Sequence, residues 1–146
     1  MKRRCLIGAM LVLATTAGVA QASEGFPYRQ VRLGATAGCW PVAATLPLQD
    51  QGLMGVAHPT RPMLFTFRPA GPYAFWMMNT PAPLTGVWVG TGLTVIGRWH
   101  GIPNTDTQHV PPAPLAAVVE YPTGWRVPAN GARLAVGARC SSAGPL

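Results

Sequence analysis

Between Gly52 and Val89 the chain reads GLMGVAHPTRPMLFTFRPAGPYAFWMMNTPAPLTGVWV. Short apolar runs are cut apart by segments bearing proline and glycine. No run is long enough for a helix of several turns, and short apolar runs between turn residues read as strands. The rest of the chain follows the same rule, with 17 Gly and 16 Pro among 146 residues. That punctuation does not signal disorder, because 49% of the chain is hydrophobic and such a chain has enough apolar side chains to build a core.

The pattern predicts these elements. Residues 23–28 read as a flexible leader. Gln30–Leu33 and Cys39–Ala43 alternate as short strands. Thr45 is placed to cap a short helix with Pro47 in its first turn, where a missing N–H costs little. Leu46, Leu53 and Met54 would face inward, and the helix would stop near Gly52–Gly55. Strands are expected at Met63–Phe67, Tyr73–Met78 and Leu84–Val89, with turns at Arg68–Pro72 and Asn79–Pro83. Gly90-Thr91-Gly92 leads into a strand at Leu93–Ile96. His100–Pro114 is a long loop, Ala117–Tyr121 a strand, Gly124–Asn130 a weak helix broken by Pro128, and Ala138–Ser141 the last strand. The expected fold is mainly β (α+β): a small antiparallel sheet, strongly curled or closed into a β-barrel, with one or two short helices. It forms a single domain over residues 29–141, followed by a tail at 142–146.

The first 22 residues have the form of a signal peptide. Lys2, Arg3 and Arg4 precede an apolar run from Leu6 to Ala20, and Ala20-Gln21-Ala22 is a small-x-small cleavage site. The expectation is cleavage after Ala22 and a periplasmic or secreted protein with no stable membrane span. Its removal would leave eight Arg against Glu24, Asp50, Asp106 and Glu120, a net charge of +4. The Arg side chains are dispersed singly, so no nucleic-acid footprint is predicted. Two cysteines would remain, Cys39 and Cys140, which an oxidising compartment would pair as a staple between the N- and C-terminal strands.

The motifs Gly52-Leu53-Met54, Met63-Leu64-Phe65-Thr66-Phe67, Phe75-Trp76-Met77-Met78-Asn79-Thr80 and Pro83-Leu84-Thr85 resemble the core of the domain of unknown function 192 family. The resemblance spans roughly residues 29–140 and implies a compact β-rich domain. The family's biochemical activity has no settled assignment, so the resemblance implies no reaction. Two positions depart from the family pattern: Met78 stands where it has Lys, and Thr85 where it has Asp. These positions are expected on paired strands, which suggests an ion pair lost as a unit, because losing one partner alone is costly.

Elimination narrows the chemistry. Serine occurs only at 23, 141 and 142, in the expected leader and tail, which argues against a Ser-His-Asp nucleophile. No Gly-rich phosphate loop and no HExxH motif occurs. His100, Asp106 and His109 share a loop, but their spacing matches no metal-site template. Met54, His58 and Met63 could suit Cu(I), although Met54 and Met63 also read as core. Asp50 reads as a helix residue and Glu120 as a strand-surface residue. In Tyr73–Met78, alternation would bury one face and expose Trp76 on the other, with Trp88 joining it from the next strand.

The function predicted from sequence is therefore non-enzymatic binding or an accessory role in the periplasm or cell envelope. The candidate ligand-binding residues are Trp76, Met78, Asn79, Thr80, Thr85 and Trp88, with no catalytic residue, metal or cofactor assigned. The partner would be a small molecule, a glycan or an envelope protein. Two competing functions are a small envelope-polymer hydrolase using Asp106 or Glu120, and a copper-handling protein using Met54, His58 and Met63.

Overall fold

The computed structural model describes residues 25–141 and Leu146; the expected signal peptide lies outside them. Seven strands and one helix follow in chain order: β1 (Tyr28–Leu33), β2 (Thr36–Ala43), α1 (Leu46–Gln51), β3 (Met63–Gly71), β4 (Leu84–Gly90), β5 (Val95–Gly101), β6 (Leu115–Pro122) and β7 (Leu134–Arg139). They form one sheet in the order β5-β4-β6-β3-β2-β1-β7. Every pairing is antiparallel except β2 with β3, which run parallel across the connection that carries α1.

The sheet curls but does not close. Its two edge strands approach at one corner, where Thr94 bridges Arg133. Val95 N donates to Ala132 O at 2.9 Å, and Leu134 N donates to Leu93 O at 2.8 Å. No ladder joins β5 to β7. The curled sheet is the correct reading and the barrel is not.

Curling lets a short chain bury both faces of its central strands. One face collects Phe65, Phe67, Trp88, Trp99, Val118 and Met77. The other collects Leu64, Val87, Val119 and Tyr121 with Trp40 and Leu33. Register sets Met63, Glu120, Gly86 and Trp99 in one row across β3, β6, β4 and β5. Room for the Trp99 indole exists because Gly86 has no side chain: a Cβ there would overlap the ring.

Cys39 of β2 and Cys140 form a disulfide across 101 residues of sequence. Cys140 N donates to Tyr28 O at 3.2 Å, so the bond secures the end of β7 beside β1. The staple expected from the sequence is present.

Several local expectations change. The segment at Tyr73–Met78 is not a strand, and only Phe75 pairs, in a single bridge with His109. The chain instead spends its strand geometry earlier, because β3 runs through the expected turn at 68–71. Gly124–Asn130 is irregular rather than helical, as Pro128 disallows a regular helix. The last strand begins at Leu134, four residues before the expected start at Ala138. Thr45 occupies the N-cap, yet its side chain makes no capping bond. Leu46 is 69% exposed, not inward-facing. Within the expected flexible leader, Phe26 is buried, and Pro27 O accepts a bond from Val42 N at 2.8 Å.

Two expected outcomes follow from this packing. Gly86→Ala forces the Trp99 ring or the β4 backbone to move and should destabilise the protein by about 1–3 kcal/mol. An unchanged urea midpoint would show that the site relaxes freely. Replacing Cys39 and Cys140 together by Ser should lower stability by up to about 4–5 kcal/mol, the loop-entropy limit for so long a loop. Denaturation of the variant beside the oxidised protein measures it.

Candidate functional site

A cleft of about 310 Å³ opens on one face of the sheet, between α1 with its following turn, strand β3 and the segment 73–76. Each wall has a local cause. Helix α1 is pinned to the sheet by Gln49 Nε2, which donates to Thr66 O at 2.8 Å. Behind it the chain turns at Gly52, whose φ of 44° favours glycine and whose backbone lies against the Phe65 ring.

The opposite wall is aromatic. Phe67 and Tyr73 stack with centroids 4.2 Å apart and ring planes at 16°. Phe75 sets its ring edge-on to Phe65 at 5.1 Å and to Phe67 at 6.1 Å. The segment is held in place by two backbone bonds, Phe75 N to His109 O at 3.0 Å and His109 N to Phe75 O at 2.7 Å. Tyr73 Oη donates to Pro69 O at 2.9 Å. Trp76 stands at the rim, 44% exposed.

Glu120 of β6 also lines the cleft. It is 4% exposed, and its carboxyl has no hydrogen-bond or ion-pair partner among the described residues. Its strand-surface assignment from sequence is overturned, since β6 is covered on both faces. Burial disfavours the charged form and pushes its pKa up to about 8, so the acid is mainly protonated at neutral pH.

The candidate residues from sequence are divided by the fold. Trp76 and Thr80 line the cleft. Thr80 is buried and its Oγ1 donates to Met78 O at 3.3 Å. Met78 and Asn79 form the turn between them, Asn79 with a φ of 55°. Trp88 was expected at the surface but is 3% exposed, packed on Trp99 at 5.7 Å. Thr85 lies on the opposite face of β4 from Trp88, by period-two alternation, and its Oγ1 meets His100 Nδ1 at 3.3 Å. Met78 is therefore not on a strand paired with Thr85, and the expected geometry of a lost ion pair does not hold.

The hydrolase and copper assignments lose geometry as well. Asp106 is exposed in the loop after β5 and does not line the cleft. Met63 is fully buried in the core whereas His58 is exposed. His109 stacks on Trp99 at 4.3 Å, and desolvation lowers its pKa. No group of three or more His, Cys, Asp or Glu suited to a metal ion occurs among the described residues.

Sequence reasoning named Glu120 only as an acid of the alternative hydrolase, and it missed Phe67, Tyr73 and Gln49 and their grouping with it. The available signal was the composition of Leu115–Tyr121, where one carboxylate interrupts an otherwise apolar strand.

The raised pKa has a signed consequence. Between about pH 4.5 and 8 the unfolded chain loses the Glu120 proton while the folded chain keeps it, so this residue lowers stability as pH rises through that window. Glu120→Gln removes the effect. The variant should match the native protein near pH 4 and exceed its stability by about 3 kcal/mol at pH 7. Equal urea midpoints at pH 7 would mean that the carboxyl is not held neutral by burial.

Comparison with known proteins agrees with the fold. No curated protein matches the chain. A crystal structure from Sinorhizobium meliloti 1021, of a protein described provisionally as a transcription regulator, is similar with a TM-score of 0.66 and 24% identity, over 77% of this chain and 95% of that one. A protein of unknown function from Novosphingobium aromaticivorans DSM 12444 is similar with a TM-score of 0.68 and 23% identity, over 88% and 99% of the two chains. These likenesses speak to architecture alone. The model of domain of unknown function 192, described as "Uncharacterized ACR", matches residues 32–140. With its motifs and its sheet in agreement, this chain belongs to the domain of unknown function 192 family.

Proposed function

We propose that the protein is an exported binding protein of the periplasm or cell envelope, and that a small ligand occupies the cleft beside α1 without being turned over. One observation carries this reading: an apolar, aromatic-walled cleft with a single unpartnered buried carboxyl on its floor. Ligand sites commonly combine an apolar lining with few placed polar groups. Glu120 is such a group, Trp76 supplies the rim, and Thr80 lines the cleft beneath it. The cleft contains no serine, cysteine or histidine, so no Ser-His or Cys-His nucleophile is assembled there.

Export is supported by the sequence of the first 22 residues and by the Cys39–Cys140 disulfide. Among the described residues no helix is long and apolar enough to cross a membrane.

A second reading draws on the same carboxyl. A buried acid in a cleft with a raised pKa is a candidate general acid. It would act on envelope polymers without Asp106, which lies elsewhere.

Two measurements test the proposal. N-terminal sequencing of the protein from a periplasmic fraction should begin at Ser23; an intact leader on soluble cytoplasmic protein would contradict export. Small amphiphilic fragments should shift the NMR signals of Gln49, Tyr73 and Trp76 together, and Trp76→Ala should weaken their binding at least tenfold without changing the fold. Turnover of an envelope polymer, abolished by Glu120→Gln, would replace binding with catalysis.

A further inference from the structure

The distribution of charge around the cleft is uneven. The full chain carries a formal net charge of +7, yet no Arg, Lys or His lines this cleft. Two of the chain's four carboxylates do, Asp50 from α1 and Glu120 from β6. The Glu120 side chain is 4% exposed and without a partner among the described residues, so the floor offers an acceptor that nothing in the fold has used.

The other polar groups are largely spent. Gln49 Nε2 donates to Thr66 O, and Thr80 Oγ1 donates to Met78 O. A polyhydroxylated ligand needs several free partners and would find few here. An anion would face two acidic side chains, one of which gains charge as pH rises, and no basic group. The aromatic wall presents ring faces and edges from Phe67, Tyr73 and Phe75, which attract cations and accommodate apolar stems.

We propose that the cleft binds a small amphiphilic organic cation, its ammonium or guanidinium head against the Glu120 carboxylate and its stem on the Phe67–Tyr73 wall. This rests on the cleft being the binding site, as argued above. A volume of about 310 Å³ suits a small molecule.

Binding of the cation is coupled to a proton. The head favours the carboxylate, so the Glu120 proton leaves to solvent as the ligand enters. The titratable groups lining the cleft besides Glu120 are Asp50 from α1 and Tyr73 from the opposite wall. The sheet row around Glu120 contributes only Met63, Gly86 and Trp99. Because burial raises the Glu120 pKa to about 8, affinity rises with pH up to that value and levels off above it.

The test titrates the purified chain with phenethylammonium, phenethyl alcohol, phenylacetate and a lysine-containing tripeptide amide. Calorimetry gives affinity and proton release, and the Trp76 indole NMR signal reports the cleft. Phenethylammonium should shift Trp76 and bind up to about 50-fold tighter at pH 8 than at pH 6, with a proton released at pH 6. The alcohol should bind at least tenfold more weakly at pH 8, with no pH dependence, and phenylacetate should not bind. In Glu120→Gln, an isosteric change that leaves the core uncharged, the ammonium should fall to the level of the alcohol and lose its pH dependence. If the alcohol or phenylacetate shifts Trp76 and binds as tightly as the ammonium, the cation assignment is wrong while the cleft remains a site. If no probe shifts Trp76, the cleft reading itself fails. A tripeptide that binds tighter than the free amine overturns the small-molecule class.

Discussion

Strand β6 is flanked by β3 and β4 and covered on both faces. A strand in that position withdraws nearly every side chain from water, whatever its chemistry. Alternation sends Ala117, Val119 and Tyr121 to one face, and Val118 and Glu120 to the other. Glu120 cannot escape by a register slip, because a shift of one residue would exchange the two cores. Its immediate neighbours in the row, Met63 and Gly86, offer no donor side chain, and the next residue, Trp99, keeps its own buried Nε1 without a partner among the described residues. The curled sheet thus forces a carboxyl into an apolar layer and leaves the cleft as its outlet.

The contrast with Tyr121, the next residue, shows what the fold does with a polar group it needs only for structure. Tyr121 is fully buried on the opposite face, and its hydroxyl meets Thr36 Oγ1 at 3.0 Å. Burial pushes its pKa up to about 12, partly offset by that hydrogen bond. The phenol stays neutral and partnered, and it packs edge-on against Trp40 at 5.9 Å. Glu120 is also buried, yet it has no partner among the described residues. A buried polar group normally finds one, and an unsatisfied carboxyl lowers stability. A sequence free to optimise its core would place an apolar residue there. An acid at the floor of a cleft therefore has its simplest physical account in a ligand that completes the pair.

Much of the fold could be read from the chain because it depends on local features. Turn residues bound the strands, Pro47 sits in the first turn of α1, and Gly52 ends it. The two cysteines beyond the leader could pair only with each other within one chain. The failures share a cause. Tyr73–Met78 alternates like a strand, but it is held by a bridge to His109, a bond from Met77 N to Thr105 O and ring contacts, which no local pattern encodes. Trp88 read as exposed because its strand was assumed to have a solvent face, whereas Trp99 and Phe75 cover it. Glu120 read as surface for the same reason. Whether a carboxylate in a strand meets water depends on what packs over that strand. Here Leu53 and Phe65, which share the cleft with Glu120, come from far earlier in the chain.

The departures at Met78 and Thr85 take on separate meanings once their positions are known. Thr85 faces away from the cleft, and its partner is His100. A charge there would be paired or solvated on its own face and would not meet residue 78 by strand pairing. Met78 lies in the turn two residues from Trp76 and two from Thr80, both on the cleft wall. A lysine at that position, as in the family pattern, would set a flexible ammonium near the mouth, with a four-carbon stem long enough to sample its surroundings. It would raise the local positive potential. The methionine leaves an adaptable apolar side chain in its place. Position 78 thus puts no charge into the turn that joins Trp76 to Thr80, and the acidic side chains lining the cleft are Asp50 and Glu120.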